Sequence, residues 1–422
     1  MDKNKQIIVI GAGPSGMMAA IAASSRGCGV TLTEKKETPG RKLLLTGGGR
    51  CNLTNTAGLD VFLAKYGKNG QFLRDAFKAF FSTDLVNFLG SRGLKCYEEN
   101  NENTPHRKIF PEGDKAKSVL QILENELRKN HVSLLSSSPV ADVVSSGGHV
   151  SGIKFANEKF LACSAVILAT GGVSYPGTGS TGDGYMMAEK LGHKIITPKA
   201  ALASLVTKEA YPSMLTGLTL LNVALTIISG KRHFSTEKGN VLFTSNGLTG
   251  PLALSVSGMI SDLIFDKKTV EVSIDLLPDT AGNDLDKELN DLFLEHSSKT
   301  AKNNLKELIP ERLAEIIIER AGIDLEKRSN QLSSREKILL SEMIKDFRLT
   351  ITRTAHIKEG MVTRGGVSLK EIDPRTMASR LVKGLYFAGE VIDIDGETGG
   401  FNLQAAFSTG YLAGLSAAAL NF

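Results

Sequence analysis

The segment Gly11-Ala-Gly13-Pro-Ser15-Gly16 constrains this chain most, because of what flanks it. Before it, Gln6 to Ile10 is a short apolar run suited to a buried parallel strand. After it, Met17 to Arg26 is rich in small residues and predicts a helix. In such a strand-turn-helix, Gly11 permits the tight turn, Gly13 lets the backbone approach a pyrophosphate, and Gly16 lets helix and strand pack closely. Free N–H groups at the helix start face the anion. A second strand, Gly29 to Thr33, ends at Glu34. That is about the twenty residues on at which such a fold places an acid for ribose hydroxyls.

Near the other end, Leu385 to Phe387 leads into Gly389, Glu390 and Asp393, and then Gly399 to Gln404 opens an alanine-rich helix. Two dinucleotide-handling segments almost a whole chain apart imply one site closed by both ends.

Pro39 to Asn52 is a basic, glycine-dense loop. Its three consecutive glycines supply conformations closed to other residues and bring backbone N–H groups close to a ligand. Gln71 to Ser91 and Lys115 to Asn130 have helical periodicity, while Val132 to Leu135 and Val140 to Val144 read as strands that build out the sheet and lead to a hairpin at Gly147-Gly148. Ala165 to Leu168 is a buried strand running into Thr170, Gly171 and Gly172, small residues that let a dinucleotide cross its carboxyl edge. The segment from Gly177 to Gly182 repeats the glycine spacing, but Tyr175-Pro176 separates it from the strand and no acid follows near residue 202. It is expected to be a ligand-lining loop, with Asp183 capping the next helix or touching the ligand.

Composition bounds the rest. At 422 residues and 41% hydrophobic content, the chain can bury a large core in two or three domains. No apolar run reaches the ~20 residues needed to cross a bilayer. The start, Met1 to Lys5, lacks the apolar segment of a signal peptide, so a cytoplasmic location is expected. Four cysteines without a CxxC pair write neither a metal site nor a redox-active disulfide, and are expected to be thiols. A net charge of +5, with basic and acidic residues interleaved, gives no inference of nucleic-acid binding.

From about Ile195 the pattern turns to alternating strands: Leu218 to Ile228, Asn240 to Thr244 and Thr269 to Leu276, with turns at Ser229-Gly230 and Asn246-Gly247. From Asn283 to about Phe347 it is helical and charged. Leu285, Leu289, Leu292 and Phe293 share one face, as do Leu305, Leu308, Leu313, Ile316 and Ile317. Leu349 to Ile357 reads as a returning strand, and Gly365-Gly366-Val367 leads back to the first fold.

The glycine fingerprint with Glu34, the stretch GRKLLLTGGGRCN, ILATGG, STGDGYMMA, GGVSLKEIDPRTM and GLYFAGEVIDIDGETGGFNLQAA together resemble the BaiN-like (aminoacetone oxidase family) bacterial flavoproteins, nearly end to end. The resemblance implies an α/β fold: a Rossmann-like FAD-binding domain made from residues 1–194 and 364–422. Into it are set a β-barrel-like domain of residues 195–280 with a return strand at 348–363, and a small helical domain of residues 281–347. It implies that Gly11, Gly13, Ser15 and Gly16 hold the FAD pyrophosphate and Glu34 the adenosine ribose, with Lys35 and Val140 nearby. Arg41, Lys42, Gly47, Gly48, Gly49, Arg50, Cys51, Asn52 and Thr170 to Gly172 are expected beside the cofactor. Gly389 and Glu390, with Asp393 sharing the contact, are expected at the phosphate-ribityl stretch. Gly400, Phe401, Asn402, Leu403 and Gln404 are expected to aim a helix N-terminus at the flavin ring.

No residue declares itself the acid or base; Cys51, Tyr175, Arg353, His356 and Arg364 are the candidates. Three activities stay open. One is an NADH- or NADPH-using reductase of a small conjugated enone, the donor binding transiently. A second is an amine or amino-acid oxidase producing hydrogen peroxide. The third is a flavin-bearing RNA- or partner-binding protein using Lys302, Lys306, Arg312 and Arg320. The oligomeric state stays open too.

Overall fold

The computed structural model describes residues 5–99, 106–113, 115–236, 238–266 and 268–420; the expectation about a leader at Met1 to Asn4 falls outside the described residues. Contacts divide the chain into Met1–Ala201 with Ile357–Phe422, and Leu202–His356.

The first unit is built on a five-stranded parallel sheet. Its strands are β1 (Gln6–Ile10), β2 (Gly29–Thr33), β3 (Ser133–Leu135), β4 (Ala165–Leu168) and β5 (Leu385–Phe387), in the order β5-β4-β1-β2-β3. Ile7 to Ile10 and Ala165 to Leu168 are buried throughout, as expected of central strands covered on both faces. α1 (Pro14–Ser24) leaves β1 with Gly13 as its cap and Pro14 in its first turn, where a missing N–H costs nothing. α2 (Asp183–Lys190) follows β4, and α3 (Phe401–Ala419) ends the described chain.

α1 and α3 are small-residue helices with buried residues all around, and they fit by close backbone approach. A Cβ on Gly410 would stand 2.2 Å from the Ser15 carbonyl oxygen, and one on Gly414 would stand 2.3 Å from that of Ala19. Lys5 Nζ also donates to the Ala418 carbonyl at 2.7 Å. The two ends of the chain are thereby joined in one core.

Several elements differ from the sequence expectation. Val140–Ser146 does not extend the parallel sheet. It pairs with His149–Phe155 about left-handed Gly147 and Gly148, in a separate three-stranded antiparallel sheet with Phe160–Ala162. The helix expected over Gln71 to Ser91 is broken between Arg74–Ala79 and Ser82–Gly90, because the Phe81 N–H is taken by the Asp84 carboxylate at 2.7 Å, which starts a new helix. Ile195–Ala201, assigned by sequence to the β-rich domain, pairs with Val362–Val367 inside the first unit.

In the second unit, six of the seven antiparallel strands close a barrel, because Thr219–Ser229 pairs with Gly239–Thr244 on one side and with Val270–Asp275 on the other. Arg232–Ser235 hangs at the edge. The expected strands are present as Thr219–Ser229, Gly239–Thr244, Val270–Asp275 and Phe347–Thr354. Pro251–Phe265 is a helix the sequence reading lacked. Gly282–Glu295, Ala301–Leu305, Glu311–Arg320 and Ser334–Lys345 are helices whose buried Leu285, Leu289, Phe293, Leu313 and Ile317 share one core with barrel residues such as Val272 and Phe347. The helical segment and the barrel are therefore one packed body.

Candidate functional site

A cavity of about 200 Å³ opens in the first unit at the carboxyl ends of β1, β2 and β4. This is where open α/β sheets receive ligands. The three fingerprint glycines answer to three different needs. Gly11 has φ +102°, and a Cβ there would lie 2.5 Å from the Ala169 carbonyl oxygen; a Cβ on Gly16 would lie 1.9 Å from that of Gly11. At Gly13 a Cβ would meet nothing within 4 Å, and this residue borders the cavity. Gly11, Gly13 and Ser15 line the wall, while Gly16 stands behind it as a packing residue. First-turn amides of α1 lack intrahelical partners, so the cavity meets a partly positive helix end.

At the end of β2, the Glu34 carboxylate accepts the Ala12 N–H at 3.1 Å and the Lys36 N–H at 2.9 Å. Each oxygen keeps acceptor capacity for a hydroxyl. Lys35 pairs with Asp183 at 2.5 Å and also bonds Thr181, so Asp183 is an ion-pair partner on the cavity wall; the cap of α2 is Gly182. Val140 and the loop residues Thr178 to Ser180 complete this end, so the second glycine-spaced segment does line the cavity.

Further along, Arg41, Lys42, Thr170, Gly171, Gly389 and Glu390 line the wall. Lys42 Nζ donates to Glu390 Oε2 at 2.6 Å and to Ser174 Oγ at 2.7 Å. The other Glu390 oxygen accepts the Thr363 N–H at 2.7 Å and the Ser174 hydroxyl at 3.0 Å. Asn402 and Leu403 bring the first turn of α3 to the wall, where Ala405, Ala406 and Thr409 form a small-residue face that the sequence reading missed. Met361, Val362, Leu73 and Ile394 were missed as well, since they come from segments without a glycine motif.

Other expected cofactor residues are not on this wall. Thr46 lines it, but Gly47 to Cys51 turn away through left-handed positions. Arg50 pairs with Glu99 at 2.8 Å, bonds the Tyr97 hydroxyl and stacks over Phe110. Asn52, with its amide oxygen toward the helix, accepts the Gly400 N–H at 3.1 Å and so caps α3 from outside. Gly400 is held against Thr54, and Phe401 packs edge-on to Phe62 at 4.8 Å. Gln404 is fully buried and bonds Ser408. Gly172 supports Thr363: a Cβ there would lie 2.2 Å from the Thr363 hydroxyl oxygen. Asp393 sits between the lining residues Ile392 and Ile394, and burial raises its carboxyl pKa against the opposing Lys68 and Arg364 charges.

The catalytic candidates have distinct surroundings. Cys51 is fully buried, and burial pushes its thiol up to about 12, so it is no nucleophile at neutral pH. Tyr175 takes a left-handed conformation and begins the turn Pro176–Thr178. Arg364 lies 3.6 Å from Asp395. Arg353 and His356 belong to the second unit. Of the residues proposed for RNA contact there, Lys302 pairs with Glu315 at 3.3 Å, Arg312 donates to the Met214 and Thr216 carbonyls, and Arg320 bonds the Tyr211 hydroxyl. Lys306 is exposed at the cap of Ala301–Leu305.

The cavity therefore fits an extended dinucleotide: an open backbone at Gly13, two helix starts, an acid for hydroxyls and a small-residue wall. The model of the HI0933-like protein Rossmann domain matches residues 5–416. The chain belongs to this family. It is an FAD-dependent oxidoreductase, and the BaiN-like resemblance carried by its motifs is borne out. It is 32% identical to the ribosomal RNA dihydrouridine synthase of Haemophilus influenzae, over 99% of either chain. It is also 32% identical to the 3-dehydro-bile acid delta(4,6)-reductase of Clostridium scindens, over 98% of this chain and 99% of that one. Among solved structures, a flavocytochrome c3 fumarate reductase matches with TM-score 0.55 at 18% identity, over 99% of this chain and 78% of that one. The 3-ketosteroid-Δ4-(5α)-dehydrogenase of Rhodococcus jostii matches with TM-score 0.53 at 16% identity, over 99% and 98%. At such identities the structures attest the fold. Among the described residues of this family member, no helix is long and apolar enough to cross a membrane.

Proposed function

We propose that this chain is a flavin-dependent reductase that saturates a carbon–carbon double bond conjugated to a carbonyl, with NADH or NADPH as donor and a small cyclic enone as substrate. What carries this reading is the agreement of two relatives whose substrates differ. One name describes reduction of a Δ4,6 bile acid bearing a 3-keto group, and the other describes formation of dihydrouridine. Both reactions add hydrogen across a ring double bond polarised by a carbonyl.

Bound FAD, once reduced by the nicotinamide, would supply the hydride, with the balancing proton drawn from solvent. The chain's own residues supply placement. The amide edge from Gly11 to Ser15 and the start of α1 hold the pyrophosphate, and Glu34 holds a ribose. The first turn of α3, at Asn402 and Leu403, favours negative charge developing on the ring. Leu43, Leu73 and Ile394 are apolar residues of the cavity wall. Uridine in ribosomal RNA is the second substrate reading, favoured by two relatives of that name matching 99% and 96% of this chain.

The test is anaerobic. The flavin absorbance band is followed while NADPH and then NADH is added, and the reduced protein is mixed with a steroid-like 4-en-3-one or with ribosomal RNA. Bleaching, then recovery on adding the enone with a product heavier by two hydrogens, is the expected result. Recovery with RNA alone moves the substrate to uridine. An oxidised band that persists with both nucleotides, alongside peroxide release from an amine, overturns the reductase reading.

A further inference from the structure

Lys42 and Glu390 form the centre of a buried polar knot. Ser174 and Thr363 within it are fully buried, and the Lys42 and Glu390 side chains are only 23% and 18% exposed. The Glu390 carboxylate already accepts from three protein donors: Lys42, Ser174 and the Thr363 N–H. The Thr363 hydroxyl oxygen accepts the N–H groups of Val173 and Ser174 at 2.9 and 3.1 Å, and Gly172 is bare of a Cβ where that hydroxyl sits. Four chain segments are thus spent on fixing one carboxylate and, through it, one ammonium.

That ammonium has three N–H donors. Glu390 and Ser174 take two of them, and the third has no partner among the described residues, on a wall of the cavity. The wall here adjoins the first turn of α1, because a Cβ on neighbouring Gly389 would lie 2.4 Å from Ser15 Oγ. A cation held beside a helix N-terminus faces the position best suited to an anionic oxygen.

We propose that Glu390 is a positioning residue for Lys42, whose third N–H binds a phosphate oxygen on the flavin side of the FAD pyrophosphate. This rests on the reading that FAD lies in the cavity. Glu390 supplies the counter-charge that fixes this half-buried ammonium. The longer side chain of glutamate lets one carboxylate reach Lys42, Ser174 and Thr363 together.

The experiment measures FAD and riboflavin dissociation constants, by flavin fluorescence, for apoprotein with Lys42→Met, Glu390→Gln and both. Riboflavin carries the ring and ribityl chain without phosphate. Each single variant is expected to weaken FAD on the order of tenfold, the loss of one charge-assisted hydrogen bond. The double variant is expected to bind no more weakly than Lys42→Met, with riboflavin unchanged throughout. Multiplying losses in the double variant, an equal loss for riboflavin, or no loss for FAD overturns the proposal. If either single variant fails to fold, Ser174→Ala removes one anchor of the ammonium more gently, and a loss for FAD alone is again required. The site reading fails separately, if Gly13→Glu still binds FAD.

Discussion

Gly410 lies directly over Ser15, so closely that a Cβ on the glycine would stand 2.2 Å from the serine carbonyl oxygen. Ser15 is in the first turn of α1 and on the cavity wall. The packing of α3 on α1 therefore also sets the cavity edge proposed to face the pyrophosphate. Gly410→Ala is expected to destabilise the protein by about 1–3 kcal/mol through overpacking, and to weaken FAD binding. Gly90→Ala, where a Cβ meets nothing within 4 Å, serves as the control. Equal urea midpoints for the two variants would show that the helices can part without loss.

Gly13 borders the cavity in open space, so a side chain there changes the ligand's path without a protein clash. Gly13→Glu is expected to fold normally by circular dichroism and to purify colourless, since its carboxylate would occupy the pyrophosphate position beside Ser15. Glu34→Gln is expected to stay yellow but to release FAD faster in stopped-flow exchange. It keeps an acceptor for the Ala12 N–H and loses the charge that favours hydroxyl donors.

Cys51 is a catalytic candidate because its segment is expected to border the flavin's reactive face, and its surroundings argue otherwise. Burial is the main cause of its raised pKa, and a hydrogen bond with Thr46 offsets this only in part. A thiol pushed up to about 12 has almost no thiolate at pH 8. Native protein is expected to leave Cys51 unalkylated by iodoacetamide at about pH 8, with labelling on unfolding, and Cys51→Ser is expected to keep flavin reduction. Fast labelling of Cys51 in the folded holoprotein would restore it as a candidate.

The parts legible in the sequence are those fixed by local constraints. Gly11, Gly13 and Gly16 could be read from their spacing between β1 and α1, and the hairpin at Gly147-Gly148 because two left-handed positions select it. The barrel strands could be read from alternation, with turns at Ser229-Gly230 and Gly247. Pro251–Phe265 could not, since its run of apolar residues has the length and composition of neither pattern alone. Lys42 and Glu390 are 348 residues apart, and their pairing exists only once β4, β5 and Val362–Val367 are assembled. Arg50 and Asn52 had the right composition for a ligand loop, but Phe110, Glu99 and Gly400 compete for them.

His193 offers a pH test of the first unit. It is 2% exposed, its Nε2 lies 2.9 Å from Ser379 Oγ, its Nδ1 lies 3.2 Å from Glu371 Oε2, and its ring meets Phe387 edge-on at 4.9 Å. Burial lowers its pKa below the ordinary 6.5, and this outweighs the opposing pull of Glu371. The folded protein thus holds His193 neutral while the unfolded chain takes up a proton first. Stability contributed by the neutral ring is complete above about 6.5 and is lost as pH falls through the lowered folded value. The melting temperature is expected to drop between about pH 7.5 and 5.5, and His193→Gln is expected to flatten that part of the slope. Were wild type and variant to lose stability in parallel, Glu371 would be compensating the burial, and the imidazole would be charged in the folded protein.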